Sequence, residues 1–495
     1  MSQQTKWSQF AVLVSVFFFW GFVAASNDIL IPVFQEKLHL QPWQSQMIAF
    51  AFYVAYTVGS IIYFVVSKIA GGDILNKIGY KNGIALGLVI SALGTLLFYP
   101  AAQTESFFIM ISGLFIVGLG FSLQQTAANP LAIVMGDPKT GAQRLSMAGG
   151  INNLGTTLGP VVVSLAIFGS VTGGAKVADI GAVKVPYLIL GAAFILVAVI
   201  FKFSPIPNQI KHDEEIEMDF DKGSEVTAKP MALPKKSPLS YPQLWLGMIG
   251  IFIYVGVEVA TASNLPMFIK KHLTGPDGGA FPTEHIAPFV SLYWASLMMG
   301  RWTSSVGAFG LSNSAKSVLR FVMPYLAFGV FLLINVIAHH DITPFKIYGW
   351  VIIALIIGDL LSKGNPARQL LIFSLCGITA LIIGMLADGM VSVYAFTSVG
   401  LFCSTLWPCI FTLAIAGLGR HTNEGASFLI MMICGGAFIP VLQGVLAGDH
   451  ALGIQASFVV GVFCFAYLAF YAVRVKAILK TQGIDYDKLE SGGGH

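Results

Sequence analysis

The chain has 495 residues, 56% hydrophobic and 11% charged, against about 25% charged in an ordinary soluble protein. A soluble enzyme is excluded, because 28 Lys and Arg with 24 Asp and Glu cannot clothe aqueous domains of this size. The net charge of +4, with its basic residues scattered through short loops, argues equally against a nucleic-acid partner.

Crossing about 30 Å of hydrocarbon takes about 20 apolar residues as a helix. Runs of that kind fall at 10–33, 46–70, 82–101, 106–135, 145–169 and 185–203. The first is longer than the apolar core of a signal peptide and reads as an uncleaved span. A break at 204–243 follows, with an acidic cluster (Asp213, Glu214, Glu215, Glu217, Asp219, Asp221) and then Pro230, Pro234 and Pro238. Such a composition cannot build a core and reads as a cytoplasmic linker. Further runs occupy 244–269, 287–309, 318–338, 345–362, 369–387, 390–418, 425–447 and 453–475, for fourteen spans in all. The expected organisation is a six-helix bundle over 1–203, the linker over 204–243, a second bundle over 244–478 and a cytoplasmic tail over 479–495.

Charge placement tests the count, since Lys and Arg stay cytoplasmic and orientation alternates with every span. With both termini inside, all but six of the 28 basic residues face the cytoplasm; the exceptions are Lys37, Lys176, Lys184, Lys270, Lys271 and Lys346. If only one of 318–338 and 345–362 crossed, Arg420 and the Arg474/Lys476/Lys480 tail would be inverted. Weak echoes link the halves. Phe52-Tyr53 precedes Gly59 as Tyr293-Trp294 precedes Gly300, and Leu131-Ala132-Ile133 precedes Pro160 much as Leu413-Ala414-Ile415 precedes Pro440. Two parallel bundles enclosing a substrate site, as in secondary transporters, would produce such a pattern.

Longer strings are more specific. Asn27-Asp28-Ile29-Leu30 with Pro32, Thr126-Ala127-Ala128-Asn129-Pro130, Arg144-Leu145 with Asn152, Tyr254-Val255-Gly256, Gly300-Arg301, Trp407-Pro408 and Gly425-Ala426-Ser427-Phe428 occur across both halves. On these the chain resembles the major facilitator superfamily, and within it the fucose/galactose/glucose:proton symporter group. The resemblance implies an all-α polytopic membrane protein of the bacterial inner membrane. It would have two pseudo-symmetric six-helix bundles, with the helices over about 318–362 inserted as an extra pair. Cation-coupled uptake of a hexose of the glucose or galactose class is implied, with no cofactor, a small-molecule sugar as partner and a monomeric state. Fucose, mannose or an amino-sugar, and a drug or lipid cargo on the same scaffold, stay open. Two departures stand out. Gln125 occupies the place of a glutamate in a fucose-transporting member, so an acid usable for proton handling is missing there. Asn76-Lys77-Ile78-Gly79 similarly lacks the acid that the superfamily carries between its second and third spans.

Ionisable groups inside hydrocarbon are costly and usually do work. Asp28 lies about 27 Å along the first span and Glu258 about 21 Å along the seventh, at about 1.5 Å per residue. Both are candidates for cation coupling, against the alternatives of an interfacial acid for Asp28 and a structural one for Glu258. Sodium would instead want several oxygens, which Asp28, Glu258, Thr261 and Asn264 could supply. A polyol needs convergent amides plus an aromatic face in an otherwise dry pocket. Asn27, Gln124, Gln125, Asn129 and Asn152 are candidates for the amides, and Tyr293, Trp294 and Trp407 for the rings. The competing role of the amides is to tie spans together. Arg301 is expected to snorkel to the cytoplasm or pair within the bundle, and Asp359 to pair with Lys363 four residues on. The five cysteines lie in apolar segments and read as reduced packing residues. The nine histidines fall in loops or at span ends, no phosphate-cradling loop is present, and no nucleophile or metalloenzyme motif marks a membrane enzyme.

Overall fold

The computed structural model describes residues 5–37, 42–137, 140–168, 181–204, 206, 208, 237–274, 286–448 and 451–487, leaving aside the side chains of 25–37, 42–49, 160–168, 181–186, 287 and 420. Among the described residues every regular element is helical. In hydrocarbon a backbone must satisfy its own polar groups, and this apolar sequence does so within each segment. The first half comprises α1 (Trp7–Lys37), α2 (Pro42–Ile69), the short α3 (Ile74–Ile78), α4 (Tyr80–Leu96), α5 (Phe98–Thr104), α6 (Phe107–Val134), α7 (Gly141–Phe168) and α8 (Gly181–Phe203). The second comprises α9 (Pro242–His272), α10 (Ala287–Ser305), α11 (Asn313–Ile337), α12 (Tyr348–Ser362), α13 (Pro366–Leu386), α14 (Gly389–Cys403), α15 (Leu406–Ile415), α16 (Thr422–Met431), α17 (Gly435–Leu446) and α18 (Val459–Thr481). All fourteen apolar runs of the sequence are therefore helical where described, and among the described residues eleven candidate spans are long and apolar enough to cross a membrane.

Local chemistry sets several ends. Asn365 caps α13 by accepting from the amides of Ala367 and Arg368, both at 3.1 Å, with Pro366 at the first helical position. Ser106 and Ser312 cap α6 and α11 in the same way. Arg144 is fully buried and closes the other end of α6, donating from Nε to the Ala132 carbonyl at 3.1 Å and from a terminal nitrogen to that of Ile133. Three runs are interrupted: between α4 and α5, between α14 and α15, and at a 3-10 turn, Met432–Cys434, between α16 and α17.

In the first half α1 lies along α7, α4 along α6 and α8, and α2 along α6. Small residues permit these approaches: a Cβ on Gly21 would strike the Asn152 carbonyl, and one on Gly155 that of Phe18. In the second half α9 packs on α17, α18 and α15, α10 on α14, and α13 on α14 and α18. The pair α11–α12 attaches outside, α11 against α10 and α12 against α13. Its periphery is measurable: 22% of the α11 span window is buried, against 94% for α14–α15, which runs through the centre.

Asp359 does not pair with Lys363. Its carboxylate meets Nε of Arg320 at 3.4 Å and accepts from Nε2 of Gln369 at 3.3 Å. The four-residue rule fails because α12 ends at Ser362 and Lys363 turns into the left-handed region with φ 51°, leaving the helix face.

Candidate functional site

The candidate amides of the first half are largely bound to other helices of that half. Gln124, fully buried on α6, accepts from Nε1 of Trp20 at 2.8 Å and donates to Oγ of Ser91 at 3.0 Å, so it joins α1, α6 and α4. Gln125, its neighbour, is half-buried and donates to the Tyr56 hydroxyl at 3.1 Å. Asn152 donates to the Phe17 carbonyl at 2.9 Å, fastening α7 to α1. Asn129 differs: it is buried one turn beyond Gln125, and its Nδ2 has no hydrogen-bond partner among the described residues. Asn27 and Asp28 lie on α1, with side chains outside the described residues.

The second half presents ionisable groups at the break between α14 and α15. Pro408 has no amide hydrogen, so the Ser404 carbonyl four residues earlier loses its helical donor. Arg301 of α10 supplies one, donating from Nε to that carbonyl at 3.0 Å. Its other nitrogens reach outward. One donates to Oδ1 of Asn153 at 2.5 Å and to the Gly149 carbonyl at 3.3 Å, both on α7, and the second to the Tyr254 hydroxyl at 3.4 Å. Tyr254 stands four residues before Glu258 on one face of α9, near enough for its hydroxyl and the charge of Arg301 both to act on the Glu258 carboxyl. Tyr293 is buried and donates to the Glu258 backbone carbonyl at 2.8 Å. Trp407, at the start of α15, sets its ring 6.2 Å from that of Tyr254. Trp294 offers its carbonyl to Asn153 at 3.5 Å and its ring edgewise to Tyr293. Glu258 keeps some accessible surface although Tyr254, Thr261 and Leu265 on the same side of α9 are buried.

The structure thus gathers Glu258, Tyr293, Trp294 and Trp407, and it adds Tyr254, Arg301, Asn153 and the freed Ser404 carbonyl. Arg301 does not snorkel; it pairs within the helices and across the seam. Thr261 and Asn264 share α9 with Glu258, but Glu258 and Asn264 are about 9 Å apart along the axis at about 1.5 Å per residue. The Asn264 amide is turned back to the Ala260 carbonyl at 2.8 Å. Among the described residues no cluster of three or more His, Cys, Asp or Glu could hold a metal ion.

The halves also meet at the end where basic residues collect. Asn423 of α16 donates to Oδ1 of Asn76 at 3.2 Å and accepts from the Tyr80 hydroxyl. Lys68 faces Glu424 at 3.7 Å and Gln143 donates to the Gly364 carbonyl at 3.1 Å, while nearer mid-span Thr57 donates to the Met431 carbonyl at 2.9 Å. Asn76 stands where the superfamily pattern leads one to expect an acid. A neutral amide clasp occupies that position, and the charged pair at this end is Lys68 with Glu424.

The sequence carried a signal for Tyr254 in its spacing from Glu258, and for Pro408 in its missing donor. It carried none for the partnership of Arg301 with Asn153, which lie 148 residues apart.

Known proteins place this arrangement. The family model described as Major Facilitator Superfamily matches residues 10–358. A glucose/galactose transporter of Brucella abortus is 32% identical, covering 93% of this chain and 92% of that protein. An L-fucose-proton symporter of Escherichia coli is 25% identical over 94% of this chain and 92% of its own length. The crystal structure of the major facilitator transporter FucP in the outward conformation superposes with a TM-score of 0.66 at 25% identity, covering 94% of this chain and 98% of that one. With an all-helical fold of this kind and a family match across most of its length, the chain belongs to the Major Facilitator Superfamily.

Proposed function

We propose that the chain is a proton-coupled sugar symporter that carries a hexose of the glucose/galactose class into the bacterial cytoplasm by alternating access. The names of its relatives support the cargo and the symport. The observation that carries the mechanism is the broken helix α14–α15, where a freed carbonyl, Arg301 and Glu258 meet beside Tyr254, Tyr293 and Trp407. Discontinuous spans of this kind form the substrate and ion sites of secondary transporters, because unwound backbone offers polar groups in an otherwise dry interior.

Glu258 serves as a coupling carboxylate in this reading, with Asp28 as the candidate second acid. Protonated, each can move between exposures without carrying charge through an apolar barrier. Gln125 and Asn129, with the unpartnered Nδ2 of the latter, supply sugar contacts from the first half, and Trp407 and Trp294 supply apolar faces. Gln124 and Asn152 contribute by fastening α1, α4, α6 and α7. Sodium is the weaker ion, since the oxygens of Glu258, Thr261 and Asn264 are strung along one helix instead of converging.

Fourteen crossings and two paired bundles, over 1–203 and 244–478 with the linker 204–243 between, fit the packing. The pairs α1–α7, α2–α6, α4–α6 and α4–α8 correspond to α9–α17, α10–α14, α13–α14 and α13–α18. Gly59 abuts Ser122 of α6 as Gly300 abuts Ser404 next to α14, so the sequence echo reproduces a packing echo. The pair α11–α12 matches nothing in the first half, as an insertion would. With basic residues inside, both termini are cytoplasmic and the seam is closed toward the cytoplasm.

Uptake of labelled glucose or galactose into proteoliposomes under an imposed proton gradient tests this reading. Accumulation above equilibrium that collapses with a protonophore is expected. Simple equilibration would remove the coupling, and failure of every monosaccharide to compete would favour a lipid or drug cargo.

A further inference from the structure

We propose that Arg301 is a positioning residue that ties the protonation state of Glu258 to closure of the seam between α7 and α10; this deepens the symporter reading and rests on it. Arg301 belongs to α10, yet its donors are divided between the two halves. Nε is committed to the Ser404 carbonyl of the second half, and a terminal nitrogen to Asn153 and the Gly149 carbonyl of the first. The remaining nitrogen contacts Tyr254, which stands one helical turn from Glu258 on the same face of α9. One side chain therefore touches the helix break, the opposing half and the path to the acid.

The seam is shaped for this contact. A Cβ on Gly149 would stand 3.1 Å from Cδ of Arg301, and one on Gly150 would stand 2.6 Å from Cδ1 of Trp302, whose Nε1 donates to the Gly150 carbonyl at 3.2 Å. A side chain at either position would crowd Arg301 and Trp302 where they lie against the α7 backbone. Among the described residues, the ionisable groups facing Glu258 and Arg301 are Tyr254 of α9, Tyr293 of α10 and Cys403 of α14, with Cys464 of α18 behind Cys403. From α7 come only the neutral Asn153 and Gly149. Glu258 is thus the one described carboxylate that balances the cation.

The consequence follows from solvation. While Glu258 is ionised, Arg301 has a counter-charge and the dry seam is tolerable. When the carboxylate takes a proton from water, its O–H forms and its negative charge is lost. Arg301 is partly buried; an uncompensated cation in such a place is destabilising, and opening the seam readmits water to it. Proton binding at Glu258 therefore favours opening at the basic end, and release favours closure.

Spin labels at Ile69→Cys and Leu311→Cys, both exposed at that end and on opposite halves, report the opening as a distance distribution in the full-length protein. Wild type should shift to longer distances as pH falls. Glu258→Gln should hold the long distribution at every pH. Arg301→Gln should lose the pH response, with Glu258→Gln adding nothing on top of it, and Arg301→Lys should restore part of it because the charge returns. A full response surviving in Arg301→Gln, or no response in wild type, overturns the proposal. Should Arg301→Gln fail to fold, the Arg301→Lys and Glu258→Gln pair decides: a normal pH response in Glu258→Gln also overturns it. Proton-driven sugar accumulation by the wild type is measured in parallel. Accumulation with an unchanged Arg301→Gln response sinks the inference alone, and absence of accumulation sinks the symporter reading.

Discussion

The two faces of the central region are built from different chemistry. On the first-half face the candidate side chains are neutral amides, most of them bonded to neighbouring helices of that half: Gln124 between Trp20 and Ser91, Asn152 on Phe17, Gln125 on Tyr56. The second-half face carries a cation and an acid, Arg301 and Glu258, set at a helix break and reaching across the seam. Saturated amides hold helices in place, whereas a charge pair whose balance changes with one proton can be moved. The division assigns packing chiefly to one face and coupling chiefly to the other.

The strongest way to break this division is Glu258→Gln. Gradient-driven accumulation should be lost entirely while counterflow exchange of sugar persists, measured in proteoliposomes. Undiminished accumulation would remove the acid from the second face. Asp28→Asn, assayed alongside, sharpens the comparison, since an equal loss would place a second coupling acid on the first. Next in size is Pro408→Ala, which gives the Ser404 carbonyl a helical donor again and frees Arg301 from its anchor. Initial uptake rates should fall by about tenfold, equivalent to about 1.4 kcal/mol, with folding retained in a thermal-shift assay. Gln124→Leu probes the opposite face. It removes two interhelical bonds worth about 0.6 kcal/mol each, so the melting temperature should drop slightly while sugar affinity is unchanged; a collapse of affinity would make Gln124 a ligand.

The smallest effect lies outside the membrane. A hydrogen bond from Lys476 at 2.7 Å, reinforced by the charges of Lys476 and Arg368, holds the Asp487 carboxyl below its usual range. A depressed acid stabilises the fold when ionised, so this docking of the tail is present at neutral pH. It is lost as pH falls below about 4, the ordinary range of an aspartate, and through the lowered value. The side chain is 35% exposed, which keeps the contribution small. Hydrogen exchange at residues 483–487 should rise at low pH, and Asp487→Asn should produce the same rise at neutral pH.

The helical runs were legible because hydropathy is a local property: each stretch is apolar wherever it packs. Glu258 was legible for the same reason, as an acid inside such a run, and Tyr254 could be read from its spacing. Gln124 and Gln125 were not separable. Adjacent helical residues point about 100° apart, and only the packing of α1, α4 and α6 sends the first inward to Trp20 and the second toward Tyr56. Asp359 was misjudged for a related reason, because its partner Arg320 comes from another helix and not from the next turn.

By itself, then, the sequence determined a membrane solvent, the positions of the helices, the missing donor at Pro408 and the presence of an intramembrane acid. All of these depend on composition and near-neighbour spacing. The tertiary structure alone decided that Arg301 meets Ser404 and Gly149, 103 and 152 residues away in the chain, and so where charge crosses from one half to the other. Pairing at such separation is set by which helix faces come together, and no local pattern records it.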